Sequence, residues 1–207
     1  MKKAHVFLTG LRVTVGLVSI LTVWAQPSVS VEAMPTLTPK NSQSPPTSLR
    51  EAEAHNNRGV EQAEKGNFGD AIAAFNRAIK IYPTYEKAHN NLGLALGSQD
   101  KFSEAAAAFN RALEINPKNF ETYNNLGIAL GSQGKFPEAV TAFNRAIQIN
   151  PQDPTSHQNL AVAFWSQGKL PEAVTSMQKA RKLYSAQNNT EGVNQVEQIL
   201  QQIQSAP

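Results

Sequence analysis

The sequence predicts an all-α protein, a solenoid of stacked helix-turn-helix units. Three observations predict it. First, His89-Asn-Asn-Leu-Gly-Leu-Ala-Leu-Gly97 returns 34 residues later as Tyr123-Asn-Asn-Leu-Gly-Ile-Ala-Leu-Gly131, with worn copies beginning at His55 and His157. Second, apolar residues within each period fall at helical spacings, broken once by a turn signal. Third, proline recurs in phase at Pro83, Pro117 and Pro151. A fixed period of this length marks units that bury a core only by stacking on one another.

Taken in order, residues 1–25 read as a secretory signal. Lys2, Lys3 and Arg12 make a basic start, and Val13 to Ala25 is an uncharged, mostly apolar run of 13 residues. Small residues at Val23/Ala25, or later at Val31/Ala33, offer a cleavage site. The run is short for a membrane span, which needs roughly 20 apolar residues. The alternative is an uncleaved N-terminal anchor, the one route by which this chain would meet a membrane. Those three basic residues account for the whole excess of 19 Lys and Arg over 16 Asp and Glu. The rest of the chain is neutral, which argues against nucleic-acid binding. Residues 26–49 form a linker rich in Pro, Ser and Thr, with too little apolar surface to offset the entropy of ordering.

The repeats follow over residues 50–187, in units of about 52–85, 86–119, 120–153 and 154–187. In the second unit Leu92, Leu96, Phe102, Ala105, Phe109, Ala112, Leu113 and Ile115 mark two short helices. Gly66, Asp100, Gly134 and Gly168 stand at the turn between paired helices, types that tolerate a left-handed backbone. Pro137 and Pro171 open second helices, where proline suits the first turn. Asp70, Glu104, Glu138 and Glu172 come next and complement the helix dipole. Small residues recur where helices approach: Gly59, Gly93, Gly127 and Ala161, then Ala71, Ala105, Ala139 and Ala173, then Ala78, Ala112, Ala146 and Ala180. Phe68, Phe102, Phe136 and Leu170, with Phe75, Phe109, Phe143 and Met177, fill the space between. Ser185 replaces the closing proline in the last unit. Residues 188–207 are expected to form a capping helix, with Val193, Val196, Ile199, Leu200 and Ile203 on one side of a Gln-rich sequence.

This pattern of Leu-Gly in the first helix, Ala, Phe and Ala in the second, and Pro at the end resembles the tetratricopeptide repeat. The resemblance covers about Ala52 to Gln187. Arg58 and Gln62 depart from it in the first unit, Ala161 and Ser185 in the last. It implies a right-handed α-solenoid whose concave face is lined mainly by the first helices, and it implies a protein-binding role.

Candidate binding residues follow from helical spacing. Asn57, Asn91, Asn125 and Asn159 repeat in phase beside the core stripe, flanked by Asn56, Asn90, Asn124 and Gln158. Val60, Leu94, Ile128 and Val162 lie one turn on, with Trp165 beyond them. An Asn amide offers one acceptor and two donors, so it binds a peptide backbone without reading its side chains. Asn is also a poor helix former, so four in phase need a reason. The column resembles the asparagine ladder in the repeat domain of O-linked N-acetylglucosamine transferase, although no stretch of this sequence is left for a catalytic domain. The expected partner is an extended peptide segment of another protein. A structural scaffold acting through self-association is the alternative.

Other chemistry is thin. There is no cysteine, which excludes disulfides and thiolate sites. His55, His89 and His157 align with Tyr123 in a packing position, which argues against a metal site. The column Arg77, Arg111, Arg145 and Lys179 has acids nearby and reads as a solvated face. No phosphate loop, nucleophile with a supporting base, or HExxH is present. The expectation is a binding module with no enzymatic activity, cofactor or small-molecule substrate, exported to the periplasm, an equivalent lumen or the medium.

Overall fold

The computed structural model describes residues 46–205; the expected signal and nearly all of the linker lie outside them. Among the described residues there are nine helices and no strands. They are α1 (Thr47–Glu64), α2 (Phe68–Ile81), α3 (Glu86–Gly97), α4 (Phe102–Ile115), α5 (Phe120–Ser132), α6 (Phe136–Ile149), α7 (Pro154–Ser166), α8 (Leu170–Ala186) and α9 (Thr190–Ser205). Helix α1 begins at Thr47, inside the expected linker. None of these helices is long and apolar enough to cross a membrane.

The period is visible in the helix ends. Second helices start at Phe68, Phe102, Phe136 and Leu170, each 34 residues after the last. The turn residues take the left-handed backbone that their types allow: φ is 78° at Gly66, 59° at Asp100, 77° at Gly134 and 76° at Gly168. Tyr82, Asn116 and Asn150 end α2, α4 and α6 with φ of −134°, −128° and −127°. Each precedes a proline, whose ring forces the preceding residue out of the helical region. In the fourth unit Ser185 imposes no such stop, and α8 runs 17 residues where its counterparts run 14.

Consecutive helices pack against one another down the chain, and the first helices α1, α3, α5 and α7 also touch their like in the next unit. Second helices do not contact each other to that extent. The stack therefore bends with the first helices on its inner side.

The core is built from small residues facing rings. Ala71, Ala105, Ala139, Ala173, Ala78, Ala146 and Ala180 are fully buried, as are Phe109 and Met177. A Cβ added to Gly59, Gly93 or Gly127 would meet the ring of Phe75, Phe109 or Phe143 at 2.5, 2.5 and 2.4 Å. Real Cβ atoms do not come so close, so glycine is what lets the paired helices cross. The fourth unit solves the same contact differently, with Ala161 opposite the flexible Met177 in one buried cluster. Leu170 departs from expectation: it is 40% exposed at the last unit, where no full unit follows.

The ends of the array differ from its middle. Arg58 replaces the leucine of the other units, Gln62 replaces Leu96, Leu130 and Phe164, and both border a shallow polar recess with Asp70 and Arg77. At the other end α9 buries Val196, Leu200 and Ile203 against α7 and α8. Asn189 Oδ1 accepts from Gly192 N–H at 2.8 Å and caps α9.

Candidate peptide-binding face

The Asn column lies on the inner helices, but its members are not equivalent. Asn57 is exposed and Asn91 half-buried, whereas Asn125 and Asn159 are 8% and 9% exposed. Asn91 Nδ2 donates to Asn56 Oδ1 at 2.9 Å across the first two units. Asn159 Nδ2 is buried without a hydrogen-bond partner among the described residues.

The flanking column has a structural task that spacing alone does not reveal. Asn90 Oδ1 accepts from Thr122 Oγ1 at 3.1 Å, joining the second unit to the third. Asn124 Nδ2 donates to Ser156 Oγ and to Asp153 Oδ2, joining the third to the fourth. Gln158 Oε1 accepts from Tyr184 OH at 3.0 Å within the fourth unit. Asn56, Asn90 and Asn124 are thus engaged in bonds between units. Asn124 Oδ1 remains buried and unpaired. Burial pushes the Tyr184 hydroxyl pKa upward, so it stays a donor here.

The apolar column runs beside these amides. Val60, Leu94, Ile128 and Val162 are all half-buried, each resting one side on a core cluster. Ser98 and Ser166 hydroxyls bond back to the carbonyls of Leu94 and Val162, at 3.1 and 2.9 Å. Trp165 is a correction to the expected face. It is 9% exposed and packs in a cluster with Ala173 and Ile203. The residues at its position in the other units are Ala63, Gly97 and Gly131, too small to reach a neighbour. In the fourth unit the capping helix draws the large ring into the core.

Charge fades along the inner helices. Helix α1 carries Arg50, Glu51, Glu53, Arg58, Glu61 and Glu64; α3 carries Glu86 and Lys87; α5 carries Glu121; α7 carries none. Glu61 is held below the usual carboxylate range, first by a hydrogen bond from Lys65 and then by that ammonium charge. Both side chains are exposed, so the pair adds little to stability.

The remaining candidates have structural partners. His89 and His157 ring Nε2 atoms meet the carbonyl oxygens of Pro83 and Pro151 at 2.8 and 3.2 Å. Each ties a first helix to the proline that closes the preceding unit. Among the described residues no three His, Asp or Glu gather where a metal ion would sit. Arg77, Arg111, Arg145 and Lys179 are exposed. Arg111 pairs with Glu114 at 2.6 Å, and Arg145 donates to Gln148 at 2.8 Å.

Stacked helix pairs with amides along the inner helices define the class: a helical-repeat protein. The chain belongs to the tetratricopeptide repeat family, whose model matches residues 47–86, 56–120, 90–154 and 124–188. Solved structures agree. A crystal structure of MamA is 26% identical with a TM-score of 0.64, over 66% of this chain and 80% of that one. The first TPR of Spaghetti (RPAP3), bound to the HSP90 peptide SRMEEVD, is 19% identical with a TM-score of 0.57, over 58% of this chain and 95% of that one. YrrB, described as a TPR protein with an unusual peptide-binding site, is 18% identical with a TM-score of 0.57, over 74% and 86%. At those identities the last two speak for the fold alone. No match was found among curated protein sequences.

Proposed function

We propose that this chain is a protein-interaction module that takes an extended peptide segment of another protein along its inner face. The observation that carries this reading is Asn125, a mostly buried residue on inner helix α5 whose amide makes no side-chain hydrogen bond among the described residues and is not enclosed. A peptide backbone is a ready partner, since every non-proline residue carries one donor and one acceptor. Ile128 and Val162 lie beside the amide column to take side chains. The peptide complex of the RPAP3 repeat and the peptide site of YrrB are in keeping with this use of the fold. In this reading the repeats work in an exported protein, since residues 1–25 read as a signal, and they carry out no reaction of their own.

The expected result is that Asn91→Ala with Asn125→Ala weakens binding of a crosslinked native partner about tenfold, from about 0.7 kcal/mol for each of the two lost bonds. Unchanged affinity would show that the amides do not hold the segment. Light scattering separates the scaffold reading: a stable monomer supports the module, and concentration-dependent self-association supports the scaffold.

A further inference from the structure

Helical spacing sets four positions of each first helix on one stripe, at i, i+4, i+7 and i+11. On α1 the stripe is Glu53, Asn57, Val60 and Glu64. Its middle two positions belong to the amide and apolar columns of the inner face. Its leading position runs Glu53, Lys87, Glu121 and Thr155 down the four units: negative, positive, negative, neutral. The trailing position carries a charge only in the first unit, at Glu64, and serine in the other three.

The three leading charges are unspent. Lys87 and Glu121 are exposed and Glu53 is half-buried. None of the three makes an ion pair or a side-chain hydrogen bond among the described residues. Lys87 has a carboxylate of its own column on either side and pairs with neither. Other exposed charges do find a neighbour one turn away, as Glu61 does with Lys65 and Arg111 with Glu114. The neutral member, Thr155, is the one with an internal partner, the Tyr184 hydroxyl at 3.3 Å.

The spacing of the row suits an extended chain. Packed helices lie about 8–10 Å apart, and α1, α3 and α5 touch in succession. An extended chain advances about 3.3 Å per residue, so one unit spans about three residues of a bound segment. The row has the same order of signs from either end. Its complement does too, whichever way the segment runs.

On the peptide-groove reading above, we propose that the first three units select a segment with a basic, an acidic and a basic residue at intervals of three. The basic residues meet Glu53 and Glu121, and the acidic residue meets Lys87. Apolar residues between them rest on Val60, Leu94 and Ile128. Glu64 adds a second carboxylate at the first unit, so the basic residue there is held more strongly than the one at the third. A segment with several acidic residues and no basic one meets mainly carboxylates and is repelled.

The test uses the full chain and nine-residue synthetic peptides read by fluorescence anisotropy, with Val and Thr at the uncharged positions. The first peptide carries Lys, Glu and Lys at its second, fifth and eighth positions. The second carries Glu, Lys and Glu there. The third has the composition of the first, with its charged residues moved to adjacent positions. The first peptide is expected to bind tightest, each exposed ion pair contributing about two- to fivefold. Its lead over the second is about tenfold or more and shrinks as salt is raised. Lys87→Glu, a change at an exposed position, shifts the preference to a peptide with Lys at all three places. Equal affinities for the three peptides, or tighter binding of the second, overturn the charge assignment and leave the groove reading in place. A preference for the first peptide that Lys87→Glu does not alter overturns the placement of the motif on this row. No binding of any peptide contradicts the groove reading itself, and the assignment with it.

Discussion

Gly127→Ala lowers the stability of the array by about 1–3 kcal/mol, the usual cost of overpacking, although alanine is the better helix former by roughly 1 kcal/mol. The reason is a ring. The added methyl would lie 2.4 Å from Phe143, and Phe143 is 4% exposed, so neither partner has room to yield. The fourth unit shows the compensation, with Ala161 and Met177 in these two places. Phe143→Met, a swap toward a flexible chain, therefore recovers much of the loss when combined with Gly127→Ala. The coupling expected for touching residues is about 0.5–3 kcal/mol. Urea unfolding followed by circular dichroism on both single variants and the double measures it. A neutral Gly127→Ala, or strictly additive variants, would show that the close helix crossing is not what requires glycine.

Ending the chain at Gln187 has the second large effect. It removes α9 and with it the buried Val196, Leu200 and Ile203. Each such side chain is worth about 1.5–3 kcal/mol of burial, so the loss is several kcal/mol at one end of the stack. Trp165, Met177, Ala180 and Tyr184 lose their cover. In a linear array stability is a sum of units and interfaces, so the damage concentrates in α7 and α8, while α3 to α6 keep their neighbours. Hydrogen exchange is expected to show loss of protection in α7 and α8, and light scattering to show association through the bared apolar face. Full protection of α7 in the shortened chain would mean that α9 is an appendage and not a cap.

Much of this was legible because the core repeats in sequence as it does in space. Gly66, Asp100, Gly134 and Gly168 were readable as left-handed turns from residue type alone, and all four have positive φ. The closing prolines and the apolar stripe of α9 were readable for the same reason: each is a local rule that acts within one helix. The Asn columns were only half legible. Spacing placed Asn57, Asn91, Asn125 and Asn159 on one helix face. It could not show that Asn56, Asn90 and Asn124 reach into the next unit, since that depends on how two units dock. A signal was present in the drift from Ala88 to Thr122 to Ser156, a buried position that gains a hydroxyl along the chain. Buried hydroxyls need partners, and the partners are those asparagines. Trp165 was misplaced for a related reason. Its phase on α7 was clear, but the position of the capping helix that encloses it was not.

On the function proposed above, the inner face, and not the outer one, holds the partner. A photo-activatable residue in place of Ile128 on the inner face, and another in place of Arg111 on the outer face, tests it in the native compartment. Crosslinks to one discrete partner segment are expected from position 128 and none from position 111. Partner crosslinks from position 111 with position 128 silent would contradict it.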